Sequence, residues 1–483
     1  MRAGRLIALG LSAVLLTIGI SSCKPAKSST IVIFHVNDVH ARVHNFAKIA
    51  WLLEEERKQN PNVFFMSAGD NFSGNPYVDL YEPKGEPILQ LYNRLKLDVQ
   101  ALGNHEFDYG QEVLKRYIER ANYPVICANL KVDGAIIPQP KPYTILETKE
   151  GVKIAVVSAV QTDRDTGIPS TLPANVKGVT FSDGIESILQ YKSLKQENDV
   201  LIALTHLGFG RDERLARQMG ELDLIIGGHS HTKVDKPVVE NGVLIAQAGD
   251  HTRYVGRVDL VVKNGKVVEK KSSLIDIKSI KNEIPDVKQM VEDVKKNPAL
   301  NQEITRLEVS LQGKNELGSL ICDSIRDTLD IDIVFQNNGG IRIGKMYETV
   351  RLKDAHAMLP FGNDVVVIAM TPEEIRGFIA NDFKRGNEPD LQVAGIEYTV
   401  LHDKNFAIKD IDIVTTDGKK LDESKTYRVG LNNYIVTAYE FQHQDPGKSS
   451  HKKLVDIMID YLKKGVDAKK YKGIERAKAK LVN

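Results

Sequence analysis

The stretch Ile31-Val32-Ile33-Phe34-His35-Val36-Asn37-Asp38-Val39-His40 joins an apolar run of strand length to an acid and a histidine. Apolar runs of this kind recur along the first half of the chain, with amphipathic helical stretches such as Asn45–Gln59 and Gln111–Arg120 between them. This alternation predicts an α/β layered domain. The predicted strands are Ile31–Val36, Val63–Met66, Val99–Leu102, Val125–Ala128, Ile154–Ser158, Val200–Thr205, Leu222–Ile226 and Val243–Ala246.

Length and composition limit the class of protein. The chain has 483 residues, enough for two or three domains, and its 65 Lys and Arg against 64 Asp and Glu give a formal net charge of +1. Near-neutrality predicts no nucleic acid polymer as a partner, and no protein partner can be inferred. The contents of 42% hydrophobic and 27% charged residues exclude a disordered or polytopic membrane chain, and three cysteines exclude a disulfide framework.

A charged segment divides the chain. Residues 282–297 carry apolar residues at helical spacing, and a second α/β unit follows with a predicted helix over Leu317–Leu329 and a predicted strand over Ile331–Gln336. We therefore predict a first domain over residues 30–280, a connecting helix and hinge over 281–300, and a second domain over 301–483.

Acids and histidines follow the predicted strands at the points where the strands end. The spacing of two between Asp38 and His40 would place both side chains on one face of an extended segment. Because ligands bind outside the carboxyl ends of the strands in open α/β sheets, we expect these side chains to share one crevice. Five strand ends supply seven candidate metal ligands, namely Asp38, His40, Asp70, Asn104, His206, His229 and His231.

The chemistry of these ligands indicates the class of metal. Imidazole, carboxylate and amide groups without a thiolate suit divalent ions such as zinc or manganese. Seven ligands exceed the four of a tetrahedral zinc site, so the set predicts two ions with Asp70 as the natural bridge. Two ions about 3.5–4 Å apart clamp the attacking and leaving oxygens of an in-line displacement and activate a water. The pattern therefore predicts hydrolysis of a phosphate ester.

The ordered set of motifs resembles a known family. Asp-x-His at 38–40, Gly-Asp-x-x-x-Gly at 69–74, Gly-Asn-His-Glu-Phe-Asp at 103–108, an isolated strand-end His206 and Gly-His-x-His at 228–231 resemble the calcineurin-like metallophosphoesterases. The third motif together with a second domain is similar to the 5′-nucleotidase branch. The resemblance implies an α/β fold in which an N-terminal four-layer α/β/β/α metallophosphoesterase domain precedes a smaller C-terminal α/β nucleotide-recognition domain.

The resemblance also implies roles for individual residues. One metal would be held by Asp38, His40, Asp70 and His231 and the other by Asp70, Asn104, His206 and His229. Zinc or manganese is expected, with cobalt or magnesium as alternatives, and His231 stands where some members carry glutamine. His105 and Asp108 match the catalytic pair, in which the imidazole stabilises phosphoryl charge or protonates the leaving oxygen and the acid fixes the tautomer of the imidazole.

Turns of the second domain offer groups suited to a nucleotide. Arg342 presents a planar fork for a phosphate or carboxylate, and Phe361 and Tyr434 are candidates for a stacking clamp on a flat base. The family resemblance implies substrate contacts at Asn337, Arg342, Phe361, Gly395 and Tyr434. Two departures from the family occur: Ala438-Tyr439-Glu440 stands where a Gly-Gly-Asp turn is usual, and Lys314 lies where many members place an additional arginine.

The beginning of the chain resembles a bacterial lipoprotein signal. Arg2 and Arg5 precede the apolar stretch Leu6–Ile20, which small residues and Cys23 follow. We expect residues 1–22 to be a signal peptide, Cys23 to carry a lipid that tethers the protein to a membrane, and the protein to lie on the periplasmic or outer-membrane face of the bacterial envelope. A plain secretory signal and an uncleaved anchor are the alternatives.

These features together predict an exported two-metal phosphohydrolase that releases phosphate from nucleoside 5′-monophosphates through a metal-activated water. UDP-sugars and dinucleotides are further candidate substrates. A 2′,3′-cyclic-nucleotide phosphodiesterase with 3′-nucleotidase activity is the alternative within the same fold, and a non-catalytic nucleotide-binding lipoprotein is the alternative of another class.

Overall fold

A computed structural model describes residues 28–163 and 166–482. The predicted signal peptide over residues 1–22 and the predicted lipid attachment at Cys23 lie outside these ranges. None of the helices within them combines the length and the apolar character that a membrane span requires.

The first domain is built on two six-stranded sheets. The first sheet consists of β1 (Ser28–Val36), β2 (Val63–Ser67), β3 (Val99–Ala101), β4 (Val125–Ile126), β13 (Tyr254–Lys263) and β14 (Lys266–Asp276). The second consists of β6 (Tyr143–Glu147), β7 (Lys153–Val160), β9 (Val200–His206), β10 (Leu224–Ile226), β11 (Val238–Glu240) and β12 (Val243–Ala246). Their orders are β14-β13-β1-β2-β3-β4 and β11-β12-β10-β9-β7-β6, and the central strands of both run parallel.

Strand β1 shows why the two sheets stack. Because successive side chains point to opposite faces, Ile31 and Ile33 join the apolar layer between the sheets, whereas Val32, Phe34 and Val36 pack in the other core, beneath the helices. A strand buried on both faces reads as a continuous apolar run rather than an alternating one. The result is the predicted four-layer α/β/β/α arrangement, which the structure confirms.

Helices form the outer layers of this domain. They are α1 (Phe46–Gln59), α2 (Pro76–Asp79), α3 (Glu86–Leu95), α4 (Gln111–Arg120), α5 (Gly184–Leu189), α6 (Leu194–Glu197) and α7 (Phe209–Gln218). A short antiparallel pair, β5 (Leu130–Val132) with β8 (Val179–Phe181), completes the domain. The observed bounds of α1, α4 and the eight predicted strands agree with the predicted ones to within three residues.

The charged segment between the domains contains one helix, α8 (Pro285–Val294). Val287, Val291 and Val294 of this helix belong to the apolar core of the first domain. Arg94 of α3 also donates to Asp286, with Nε 2.5 Å from Oδ2. The helix is therefore fixed to the first domain, and a hinge within the predicted 281–300 connector would lie after Val294.

The second domain contains two larger sheets and two small ladders. The larger sheets are formed by β17 (Ile333–Asn337), β20 (Asp364–Met370), β21 (Leu391–Ala394), β22 (Ile396–His402), β23 (Ile408–Thr415), β24 (Tyr427–Asn432), β25 (Lys448–Lys453) and β26 (Ala477–Leu481). Five strands form one sheet in the order β21-β17-β24-β20-β25, and three form the other in the order β23-β22-β26. The ladders pair β15 (Glu303–Arg306) with β19 (Thr349–Arg351) and β16 (Leu311–Gln312) with β18 (Lys345–Met346).

Helices cover the five-stranded sheet. They are α9 (Gly313–Leu329), α10 (Leu352–Met358), α11 (Pro372–Gly386), α12 (Asn433–Ala438) and α13 (Leu454–Lys463). The predicted second α/β domain is thus confirmed as a fold. Its β17 ends at Asn337, which lines the cavity shared with the first domain, and its β24 ends at Asn432, which is buried and donates to the Asn337 side-chain oxygen at 2.9 Å.

Candidate metal centre and substrate cavity

The loops that carry the candidate metal ligands have unusual backbone conformations. Five of the seven ligands lie in the left-handed region, with φ of 50° at Asp38, 47° at His40, 55° at Asp70, 77° at His229 and 55° at His231. Each such residue costs about 1–3 kcal/mol, so this concentration marks a functional region.

One sequence-based expectation is wrong at this point. Asp38 and His40 do not lie on one face of an extended segment, because the chain leaves β1 and turns. Backbone hydrogen bonds fix the turn, from the Asp38 amide to the Gly69 carbonyl at 3.0 Å and from the His40 amide to the Asp70 carbonyl at 2.9 Å. The two side chains still converge because the loop after β1 is tied to the loop after β2.

The structure brings the seven candidate ligands into one cluster at the carboxyl ends of the strands, in which five are buried and His229 and His231 are half-buried. His206 Nε2 lies 3.1 Å from Asp70 Oδ2, and His231 Nε2 lies 3.3 Å from Asp38 Oδ1. His229 Nδ1 is 3.0 Å from the Asn104 side-chain oxygen. Three groups have the spacing of metal ligands, namely Asp38–His40–His231, Asp70–His206–His229 and His40–Asp70–His105, and the first two follow the predicted division into two sites.

The tautomers of three imidazoles show that this cluster fits divalent cations. His40 Nδ1 lies 3.2 Å from the Ser73 carbonyl, His206 Nδ1 2.7 Å from the Ala68 carbonyl, and His231 Nδ1 3.2 Å from Asp250 Oδ2. Since these oxygens only accept, each Nδ1 carries the proton and each Nε2 presents a lone pair to the cluster.

Lone pairs therefore face each other inside the cluster. His40 Nε2 and His231 Nε2 are 3.1 Å apart, and His206 Nε2 faces Asp70 Oδ2 at the same distance. Such pairs need a cation, and imidazole with carboxylate is a set that zinc or manganese accepts.

The charges around the cluster support this interpretation, because its carboxylates favour a positive charge on the neighbouring imidazoles. Burial alone would lower the pKa of His206, but the Asp70 carboxylate raises it to about 10. Burial would likewise lower the pKa of His231, but Asp250 and Asp38 raise it to about 9. Burial would raise the pKa of Asp70, yet His206, His105 and His40 hold it well below its usual range. Metal binding should therefore release protons.

Glu106 holds the ligand loops together. Its buried carboxylate accepts from the backbone amides of Asp70 at 2.9 Å, Asn71 at 2.6 Å and Gly103 at 2.6 Å. Gly103 is required for this approach, because a Cβ at that position would lie 2.2 Å from Asp70 Oδ1.

The predicted catalytic pair is in hydrogen-bond geometry beside the cluster. His105 Nδ1 lies 2.6 Å from Asp108 Oδ2, and His105 Nε2 lies 4.0 Å from Asp70 Oδ2. Asp108 is held in turn by the hydroxyl of Ser73 and by the hydroxyl of Thr171, the latter at 3.2 Å. Burial would lower the pKa of His105, but Asp108 and Asp70 raise it above its ordinary value. The ring can therefore carry a proton toward the cavity.

One cavity of about 290 Å³ connects this cluster to the second domain. Four of the five predicted substrate-contacting residues line it, namely Asn337, Arg342, Phe361 and Tyr434. Arg342 reaches across the domain boundary, with an Nη2 atom 3.3 Å from His40 Nε2. Phe361 stacks on His105 with ring centroids 5.4 Å apart and an interplanar angle of 7°. A phosphate bound near the histidines would thus lie within reach of a guanidinium.

Gly395 differs from the other four predicted residues. It is absent from the cavity lining and joins β21 to β22 with φ of 86°. A Cβ there would lie 2.0 Å from the Asp332 carbonyl oxygen. The local backbone therefore accounts for this glycine without a substrate contact.

Sequence reasoning missed several residues that shape the site. Glu106 and Ser73 stand inside the quoted motifs but had no assigned role, and Asp250 follows β12 in a Gly-Asp-His sequence. Asp390 and Tyr439 also line the cavity. In the sequence, Asp250 and Asp390 are recognisable only as acids next to a strand. Acids in that position are too common to indicate a functional role.

Comparison with known proteins identifies both domains. The family of calcineurin-like phosphoesterases matches residues 31–233, and the family of 5′-nucleotidase C-terminal domains matches residues 295–442. The structure of a 5′-nucleotidase precursor from Thermus thermophilus is similar, with a TM-score of 0.80, 25% identity and coverage of 94% of this chain and 100% of that one.

Curated relatives agree with this domain pair. A 5′-nucleotidase of Vibrio cholerae is 28% identical over 482 residues, covering 84% of this chain and 85% of the relative. A trifunctional nucleotide phosphoesterase protein of Bacillus subtilis is 29% identical over 467 residues, covering 84% of this chain but 32% of the relative. The chain spans about a third of the length of the Bacillus subtilis relatives it matches.

Proposed function

Because the chain belongs to the calcineurin-like metallophosphoesterases that carry a 5′-nucleotidase C-terminal domain, we propose that it releases phosphate from nucleoside 5′-monophosphates. The observation that carries the proposal is a cavity that joins a candidate two-metal ligand cluster and a His–Asp pair on one wall to Arg342 and two aromatic rings on the other. UDP-sugars and dinucleotides remain further candidate substrates.

The metal cofactors proposed are two divalent ions, zinc or manganese, held by Asp38, His40, Asp70 and His231 and by Asp70, Asn104, His206 and His229. When bound, they would supply Lewis-acid polarisation of the phosphoryl oxygens and a water of lowered pKa.

Side chains of the protein are proposed to bind the substrate and to transfer a proton. Arg342 neutralises and orients the phosphate through its planar fork. His105, held in one tautomer by Asp108, donates a proton from Nε2 to the leaving oxygen or stabilises the charge that develops on the phosphoryl group. Tyr434 and Phe361 offer apolar surfaces for the flat base, and Phe361 would leave its stacked position on His105 to do so.

A phosphate-release panel tests the proposal. AMP, 3′-AMP, cyclic 2′,3′-AMP, UDP-glucose and a sugar phosphate are incubated with the protein and added manganese or zinc, before and after chelation. We expect AMP to be the best substrate and chelation to abolish release. Release that survives chelation would contradict the metal-hydrolase proposal. No release from any substrate would contradict it as well and would favour a non-catalytic nucleotide-binding lipoprotein.

A 2′,3′-cyclic-nucleotide phosphodiesterase with 3′-nucleotidase activity is the second candidate. It is favoured by the departure at Ala438-Tyr439-Glu440, where the second domain differs from the usual family turn. Preferential release from cyclic 2′,3′-AMP and 3′-AMP in the same panel would replace the first proposal with this one.

The proposed location is the bacterial envelope, with a lipid on Cys23. Support comes from the sequence of residues 2–23 alone. Expression of the full chain and of Cys23→Ser in a bacterial host, followed by fractionation and metabolic labelling with a fatty acid, tests it. We expect the wild type to carry the label and to appear in the membrane fraction. We expect the variant to carry no label and to appear outside that fraction. A wild type without label would rule the lipid anchor out.

A further inference from the structure

Asp390 places a carboxylate on the second-domain wall of the cavity, where the proposed function assigns no role. The residue directly precedes β21 and lines the same cavity as Arg342, Phe361 and Tyr434. Its backbone is fixed on both sides, because its amide donates to Asp382 Oδ2 at 3.0 Å and its carbonyl accepts from the Asn338 amide at 2.8 Å. The backbone that carries the Asp390 side chain is therefore fixed before any ligand arrives.

Tyr439 completes a polar pair with this carboxylate. Its hydroxyl donates to Asp390 Oδ2 at 3.1 Å. The Tyr439 ring is held between two neighbours: the Arg385 guanidinium lies 4.0 Å from its centroid, and Tyr434 packs edge-to-face at 6.2 Å and 77°. Since the tyrosine proton is used on Asp390, the phenolic oxygen and the carboxylate together present adjacent acceptors to the cavity.

The charge of Asp390 restricts what can lie against it. A carboxylate repels a phosphate, so a phosphorylated ligand would place its anionic end toward Arg342 and the histidines and a neutral, donor-rich part toward Asp390. Two adjacent acceptors suit two adjacent hydroxyl donors, such as the vicinal diol of a ribose. Burial raises the pKa of Asp390, while Tyr439, Arg385 and Lys314 act in the opposite direction.

From this geometry we infer that Asp390 and Tyr439 form a subsite for the vicinal hydroxyls of a ribose. The inference rests on the proposed function for the identity of the ligand as a nucleotide. Tyr439 belongs to the Ala438-Tyr439-Glu440 stretch, so the departure from the family turn supplies one member of the pair and Asp390, from another element, supplies the charge.

Calorimetric binding of nucleosides tests the subsite without requiring turnover. Adenosine, uridine and their 2′,3′-dideoxy forms are titrated into the whole protein in the presence of a chelator. We expect the wild type to bind each ribonucleoside about tenfold or more tightly than its dideoxy form, because the analogue leaves the half-buried Asp390 carboxylate and Tyr439 hydroxyl without hydroxyl partners. Asp390→Ala should reduce this ratio toward one for both bases.

Two further variants sharpen the test. Tyr439→Phe keeps the ring against Arg385 and should lower the ratio by a smaller factor, so the test does not depend on the folding of one variant. Asp460→Asn changes an exposed carboxylate of α13 in the same domain and should keep the wild-type ratio. Thermal melting verifies that each variant is folded.

The outcomes separate this inference from the proposed function. No binding of any nucleoside by the wild type, a ratio of one, or a ratio that Asp390→Ala leaves intact overturns the subsite even if phosphate is released from AMP. A change in the preference between adenosine and uridine with an intact ribose-to-dideoxyribose ratio also overturns it. A ratio that depends on Asp390 supports the subsite even if the phosphate-release panel fails.

Discussion

At the metal-ligand cluster of the first domain, Asp38, His40 and Asp70 are between 0% and 2% exposed, whereas Arg342, Phe361 and Tyr434 on the second-domain wall of the cavity are half-buried. The first wall rests on loops in left-handed conformations, with imidazoles fixed by carbonyls and by Asp250. The second wall presents longer side chains with rotatable bonds.

This difference reflects two kinds of task. Holding divalent ions requires donors in fixed positions, which burial and backbone hydrogen bonds provide. Recognising a substrate tolerates side chains that adjust when a ligand enters. The stacking of Phe361 on His105 illustrates the point, since a ring proposed to contact the base covers the proposed catalytic imidazole.

The largest effect should come from the chemistry of the first wall. His105→Asn removes the proton donor but leaves all seven candidate metal ligands, so we expect kcat for AMP to fall by about 10²- to 10⁴-fold. Metal content, measured by atomic emission on the purified variant, should stay at the wild-type value. Near-normal turnover in His105→Asn would show that the His105–Asp108 assignment is wrong.

The next largest effect should be on metal affinity, when the contact by which Asp250 orients His231 is removed. Asp250→Asn should weaken binding of the metal that His231 is proposed to hold by about 10- to 100-fold, because His231 Nδ1 loses its ionised acceptor. Competition with a fluorescent chelator measures this affinity.

The background His231→Gln provides the control for Asp250, since a glutamine side chain has no second ring nitrogen to orient. Asp250→Asn should change metal affinity much less in that background. Equal losses in both backgrounds would mean that Asp250 acts on the loop, through His251 and Arg253, rather than on the tautomer of His231.

On the second wall the expected effect is smaller. Tyr434→Leu keeps an apolar side chain but removes the flat surface, and a stacked base is worth about 1–3 kcal/mol. We expect KM for AMP to rise about tenfold with kcat within a factor of about two, and hydrolysis of a phosphate ester without a base serves as the reference. A fall in kcat with an unchanged KM would place Tyr434 in the chemistry of the first wall instead.

The smallest effect should be on the free energy of unfolding, when the ion pair that joins α8 to the first domain is removed. Arg94→Gln removes the ion pair with Asp286, in which the two side chains are 35% and 56% solvent-exposed, and also the ion pair of Arg94 with Glu54, whose side chain is 37% exposed. A surface pair of this kind contributes less than about 1 kcal/mol to the free energy of unfolding. Urea denaturation of Arg94→Gln should reveal only this small loss. A loss several times larger would show that the apolar residues of α8 depend on the pair to stay docked on the first domain.

Much of the first wall could be predicted from the sequence. Apolar runs that end in acids and histidines specify both the strands and the crevice, because parallel strands place their carboxyl ends at one edge. The path between Asp38 and His40 was predicted wrongly, since hydrogen bonds to the next loop override the extended geometry that spacing suggests.

The second wall could be predicted less well. Turn sequences together with the family resemblance predict Asn337, Arg342, Phe361 and Tyr434, whereas Gly395 is explained by its backbone and Asp390 was not predicted. A single acid before a strand has no periodicity or spacing that distinguishes it from a solvated one.

The layered α/β class, the two domains and the types of candidate metal ligand could be predicted from the sequence, because local patterns of a few residues specify each of them. Three features are visible only in the folded chain: which imidazole nitrogen faces the cluster, the packing of α8 on the first domain, and the contact of Asp390 with Tyr439 in the cavity. These features depend on contacts between residues far apart in the chain, and such contacts exist only once the core has packed.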